Sequence, residues 1–186
     1  MTGPLSDDAG ALDALDALDA YRRANGLPTQ ASVARTWSFR LGPLSVRLPN
    51  FVWRRQAIDR HDLHHLLTGQ PCTLSGECQV ATWEFAAGAY PDLRPILFCL
   101  PLVALGFLLA PRRTWRNFEA GRRQRSLYGL AIDESTSVKD LRNHMEARNR
   151  AGAKTKANAL AFAGLLLASA ALYLAPLSAL ALLIWS

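Results

Sequence analysis

Between Ala159 and Trp185 the sequence runs for twenty-seven residues without a charged side chain. Nothing constrains the fold more, because a segment this apolar satisfies its backbone in hydrocarbon only as a helix. At about 1.5 Å per residue the run exceeds the roughly 30 Å of a bilayer core, even if Pro176 kinks it. It is read as a transmembrane helix over 157–186. A second apolar run, Pro95 to Ala110, lies between Arg94 and Arg112. It reaches only about 24 Å, short of a span, so a buried or half-inserted helix competes with a spanning one, and a core helix is favoured because the run is short.

Charge points the same way. The formal charge is +6, and the surplus is local, since Arg112 to Lys156 holds twelve Lys or Arg against five acids. A basic block flanked by apolar runs suits anionic lipid headgroups. Trp115, Phe118 and Leu127 alternate there with arginines, as in an amphipathic helix at a membrane surface. The positive-inside tendency puts this block on the cytoplasmic face of a cell membrane, and the remaining domain with it if Pro95 to Ala110 does not span. No basic and aromatic pattern of a nucleic-acid module is present, so no nucleic-acid partner is expected. Three cysteines, Cys72, Cys78 and Cys99, give no disulfide framework and suit a reducing compartment.

The chemistry concentrates in Arg60 to Glu84, RHDLHHLLTGQPCTLSGECQVATWE, where three of the four histidines fall within five positions. His61 and His65 are one helical turn apart and share a face, which Asp62 borders. Gly69-Gln70-Pro71 stops that helix, and Leu74-Ser75-Gly76 restarts the chain so that Glu77 opens a second, antiparallel one. His61, Asp62, His65 and Glu77 are therefore expected to converge on a divalent metal, zinc by the nitrogen and oxygen donor set, with iron or manganese as alternatives. Cys72 and Cys78 flank the site as softer, lesser candidates, and Cys99 is read as packing. Glu84, two turns beyond Glu77, fits either a carboxylate behind a ligating histidine or a surface group, and the surface reading is preferred. Arg54, Arg55 and Arg60 surround the metal helix with positive charge and are candidate contacts to a phosphate, carboxylate or headgroup.

The rest says less about chemistry. The Leu-Asp-Ala triplets of Leu12 to Ala20 indicate a weak helix or a disordered arm, with Asn25-Gly26 as a stop. Arg35 to Pro49 alternates around Gly42-Pro43, as a hairpin or an extended lead-in would. Ser137 is expected to cap a short helix through about Arg150, with Val138, Leu141 and Met145 facing inward and His144 exposed. The fold class expected is all-α: a partly disordered arm over 1–50, a helical metal-binding domain over 51–150 with the site between two antiparallel helices, and the transmembrane helix.

His61-Asp62-x-x-His65, eleven residues, then Glu77 resembles the zinc signature of the ubiquinone-biosynthesis Coq-four family. Gly69, Gly76, Leu127-Tyr128-Gly129 and Leu141-Arg142 are similar to further parts of that family's pattern. The resemblance covers roughly Phe51 to Met145. It implies an all-helical fold, the four ligands named above, and a role in modifying or binding a polyprenylated quinone precursor at a membrane, the family being associated with oxidative decarboxylation at C1 of the quinone ring. The apolar tail and the Asp-rich arm depart from the family's pattern. A homo-oligomer or a biosynthetic complex is the expected setting. Rival readings are a zinc hydrolase, because HDxxH is similar to HExxH, a non-catalytic lipid-binding scaffold, and a desaturase-like box at His61, His64 and His65 that lacks the further histidines such enzymes need.

Overall fold

The structure is a computed structural model and describes residues 13–29, 34–41, 44–88, 90, 93–146 and 155–185. Among the described residues it is mostly helical, with one antiparallel pair of strands. The chain divides into two compact units, Met1–Gly69 with Leu127–Asn143, and Gln70–Ser126 with His144–Ser186. The stretch 51–150, expected as one domain, thus contributes to both.

In the first unit, α1 spans Ala14–Ala24 and is a formed helix, capped by Asp13, whose carboxylate accepts from the N–H of Leu15 and Asp16. Ala14, Ala17 and Leu18 are buried, so the triplet repeat packs despite its drifting leucines. β1 (Thr36–Leu41) and β2 (Leu44–Pro49) pair antiparallel with Thr36 opposite Pro49 and Leu41 opposite Leu44. The turn expected at Gly42-Pro43 lies outside the described residues. Asn50 closes the base of the hairpin, donating to the carbonyls of Ala34 and Arg35. The long α2, Val52–Thr68, ends at Gly69, whose φ of 67° is the left-handed geometry that glycine adopts without strain. Ser137 and Asp140 cap each other's backbone at the start of α6, Val138–Glu146, where Val138, Leu141 and Met145 are buried as expected. The end expected near Arg150 lies outside the described residues.

In the second unit, α3 (Leu74–Ala87) packs on α5 (Pro111–Arg123) and on α4 (Leu93–Leu109), and α4 packs on α7 (Thr155–Trp185). Glycines set the close approaches. A Cβ on Gly106 would lie 2.9 Å from Cys78 Cβ, and one on Gly121 would lie 2.3 Å from the Trp83 carbonyl oxygen. Around them, Gln79 donates to Thr114 Oγ1 at 3.2 Å and accepts from Asn117, while Trp83 Nε1 donates to Gln124 Oε1 at 2.7 Å. Ala86, Phe118 and Phe162 form a core cluster joined by Trp115, Leu165 and Leu166.

The run expected as a core helix is only partly enclosed. Pro95, Val103 and Gly106 of α4 are buried, whereas Leu93, Leu97, Phe98, Phe107, Leu108 and Leu109 are exposed. Among the described residues one helix, α7, is long and apolar enough to cross a membrane.

The glycine contacts give a paired test. Gly121→Ala is expected to destabilise the protein by about 1–3 kcal/mol, because its methyl meets rigid backbone, whereas Gly164→Ala, inside α7 with nothing within 4 Å, is expected to raise the thermal midpoint slightly, alanine favouring a helix over glycine by about 0.5–1 kcal/mol. Thermal unfolding in detergent checks both.

Candidate metal centre

α2 carries different chemistry on different sides. His61 and His65, one turn apart, bring their Nε2 atoms to 3.3 Å, with the rings edge to face and centroids 4.8 Å apart. Two nitrogens at about 2.0–2.1 Å from a tetrahedral cation are separated by about 3.3–3.4 Å. The imidazole pair therefore has the spacing of two corners of such a site. His65 is buried and His61 half-buried.

Glu77 sits in the first turn of α3, and its position is set locally. Thr73 caps the helix, accepting from Gly76 N–H at 3.2 Å, and the Glu77 N–H donates to the Thr73 carbonyl at 2.8 Å. The loop folds back so tightly that a Cβ on Gly76 would lie 1.8 Å from the Pro71 carbonyl oxygen, so only glycine fits there. Among the described residues His61 and His65 of the first unit and Glu77 of the second are donors that could hold a metal ion.

Asp62, expected as the fourth ligand, is not in that group. One residue past His61 it is rotated about 100° around the helix, and its carboxylate binds Arg22 of α1, with Nε at 2.8 Å and Nη2 at 2.7 Å. Arg22 Nη2 also pairs with Asp59 at 2.7 Å, and Nη1 donates to the Thr29 carbonyl at 3.1 Å. Arg22 is 2% exposed and Asp62 5%. Burial acts to lower the Arg22 pKa, but hydrogen bonds and charge from Asp59 and Asp62 outweigh it, and the net shift is upward. The guanidinium stays charged.

His64 is fully buried, and its Nε2 accepts from the Leu127 N–H at 2.9 Å, which places its proton on Nδ1. Its ring stands edge-on to Tyr128. Arg60 Nη2 donates to the Leu130 carbonyl at 3.0 Å and Arg54 Nη1 to Asn50 Oδ1 at 2.9 Å, while Arg55 is half-buried on the first turn of α2. His144 is half-buried on α6.

Glu84 corrects the surface reading, since it is fully buried and accepts a hydrogen bond from the Tyr90 hydroxyl. Cys78 is buried too, and burial, with the Glu77 charge adding to it, pushes its thiol up to about 11. A neutral thiol is a poor metal ligand, which agrees with its lesser rank. Sequence reasoning missed Arg22 altogether. The available signal was Asp59 and Asp62, two carboxylates three apart on one helix that require a cation from elsewhere.

No family model, curated protein or solved structure matches the chain.

Removing Arg22 leaves Asp62 buried without its cation. Arg22→Met is expected to cost about 3–5 kcal/mol of stability, read by denaturant unfolding, and a loss under about 1 kcal/mol would show that α1 does not hold α2 in place. In native protein Cys78 is expected to resist alkylation at pH 8 while Cys72 reacts, with mass spectrometry locating the adducts.

Proposed function

We propose that the protein is membrane-associated and holds a divalent metal, zinc with iron or manganese as alternatives, through His61, His65 and Glu77, and that it acts on or binds a polyprenylated quinone precursor. The 3.3 Å imidazole separation is the single observation that carries the metal reading. The resemblance of the HDxxH, eleven-residue, Glu pattern to the Coq-four signature supports the substrate class.

Two imidazoles and one carboxylate leave a coordination position open, as in catalytic rather than structural zinc sites. Bound there, the metal would supply a Lewis acid toward a phenolate or carboxylate of the ring. The chain's own residues do the remaining work. Arg22 holds Asp62 and Asp59, so that the histidine face of α2 keeps one orientation. Arg54, Arg55 and Arg60 bring positive charge to α2, with Arg54 donating to Asn50 and Arg60 to the Leu130 carbonyl. α7 would anchor the protein, and the apolar runs would receive the prenyl tail. The positive-inside tendency places the basic stretch 112–156 on the cytoplasmic face.

The hydrolase alternative needs Asp62 as general base in the manner of the HExxH glutamate. With its carboxylate bound to a buried Arg22, that reading lacks its base. The scaffold alternative differs in outcome, since metal removal would then leave product levels unchanged.

His65→Ala is expected to lose bound metal, with affinity falling more than the roughly 10–100-fold typical of residues behind the ligands, and to lose turnover or binding of the precursor. Elemental analysis and mass spectrometry of the co-purified lipid measure both. Undiminished precursor turnover by metal-free protein would overturn the proposal.

A further inference from the structure

α4 and α7 run antiparallel. Phe107 meets Phe162 with ring centroids 6.0 Å apart, Ala104 and Leu100 meet Ser169, and the Pro101 carbonyl accepts from the Tyr173 hydroxyl at 2.9 Å, so rising numbers on α4 meet falling numbers on α7. The central contact is polar. Ser169 is fully buried, its hydroxyl donates to the Leu100 carbonyl at 2.6 Å, and its oxygen accepts from the Ala104 N–H at 2.9 Å. One side chain thus bridges an i, i+4 backbone pair of the neighbouring helix, a bond that is retained in an apolar medium where water cannot replace it.

The pair leaves a broad apolar surface uncovered. On α4, Leu97 and Phe98 are half exposed and Leu108 is 79% exposed; on α7, Leu160 is 77% and Leu167 72% exposed. So many large apolar side chains exposed on one helix pair are unusual on a soluble monomer. Its border is chemically distinct. Directly after Leu108 and Leu109 come the exposed Arg112, Arg113 and Arg116 of α5, with Trp115 packed on Phe118 and Phe162 at the same end of the pair. Arginines and a tryptophan beside an apolar surface are the signature of headgroup level.

We infer that α4 is part of the membrane-contacting surface: its exposed face and that of α7 together contact the acyl chains of a bilayer rich in anionic phospholipid, with the start of α5 at the headgroups. The inference rests on the reading of α7 as the anchor and extends it to a helix too short to be recognised by length. Because Ser169 ties the two helices at mid-length, α4 goes where α7 goes.

Spin labels test this in the full chain reconstituted into phosphatidylcholine and phosphatidylglycerol vesicles. Single Cys substitutions at Leu97, Leu108, Leu167 and Glu134 are made in a Cys72→Ser, Cys99→Ser background. Collision with oxygen, which concentrates in lipid, is compared with collision with a water-soluble nickel chelate. The oxygen-to-nickel ratio is expected to be severalfold higher at Leu97, Leu108 and Leu167 than at the exposed Glu134. Nickel-accessible labels at Leu97 and Leu108 with an oxygen-accessible one at Leu167 would overturn the inference and leave the anchor reading intact. A nickel-accessible Leu167 would overturn both, and metal content, measured on the same samples, bears on neither.

Discussion

Arg22 decides how α2 is turned. A helix is rigid about its axis, so fixing one strip of side chains fixes every other strip. Asp59 and Asp62 form such a strip, and a single guanidinium from α1 holds both. Desolvating a carboxylate costs several kcal/mol, and the charge is tolerated only when its partner is buried with it in good geometry. Rotating α2 away from Arg22 would therefore strand charge in the interior. The same restraint keeps the Nε2 atoms of His61 and His65 on one side, where their 3.3 Å separation suits a shared cation. On another side His64 and Arg60 hold the 127–130 segment through the Leu127 N–H and the Leu130 carbonyl.

Local rules made much of the fold legible. Gly69 ends α2 because only a left-handed residue continues the chain there, Ser137 and Asp140 start α6, and the alternation on either side of Gly42-Pro43 becomes a β pair. Side-chain partners were not legible in the same way. Asp62 was placed among the ligands by its neighbours in sequence, yet its partner lies forty residues earlier in a segment that looked uninformative. Glu84 looked like a surface group because nothing nearby in the sequence announces that Tyr90 will meet it in the interior. Periodicity also cannot say whether an apolar helix is covered, and α4, apolar on nearly every side, gave no hint of which face would remain exposed.

The exposed face of α4 makes sense beside the polar contact at its centre. In water, a serine hydroxyl on a neighbouring backbone contributes little, because solvent offers equivalent partners. In hydrocarbon the alternative for that hydroxyl is no partner at all, although measured interhelical bonds in membranes average under about 1 kcal/mol, since separated helices also find substitutes. Ser169 therefore contributes register more than strength. It fixes which residues of α4 face outward beside which residues of α7, and so sets the shape of the apolar surface.

The donor set also bears on what the proposed centre would bind. Four ligands including both carboxylates would neutralise a divalent cation, leaving little reason to favour an anionic ligand over water. With Asp62 committed to Arg22, a divalent ion held as proposed by two imidazoles and Glu77 would keep one net positive charge and an open position. Such a centre favours an oxygen that carries or can release charge, a phenolate or a carboxylate, over a neutral ether or alcohol. On the proposed function the apolar runs would also accept a long hydrocarbon tail. A ring acid or phenol bearing a polyprenyl chain satisfies both requirements, whereas a free sugar phosphate or a peptide satisfies at most one, so on this proposal the salt bridge from α1 helps set the ligand class as well as the fold.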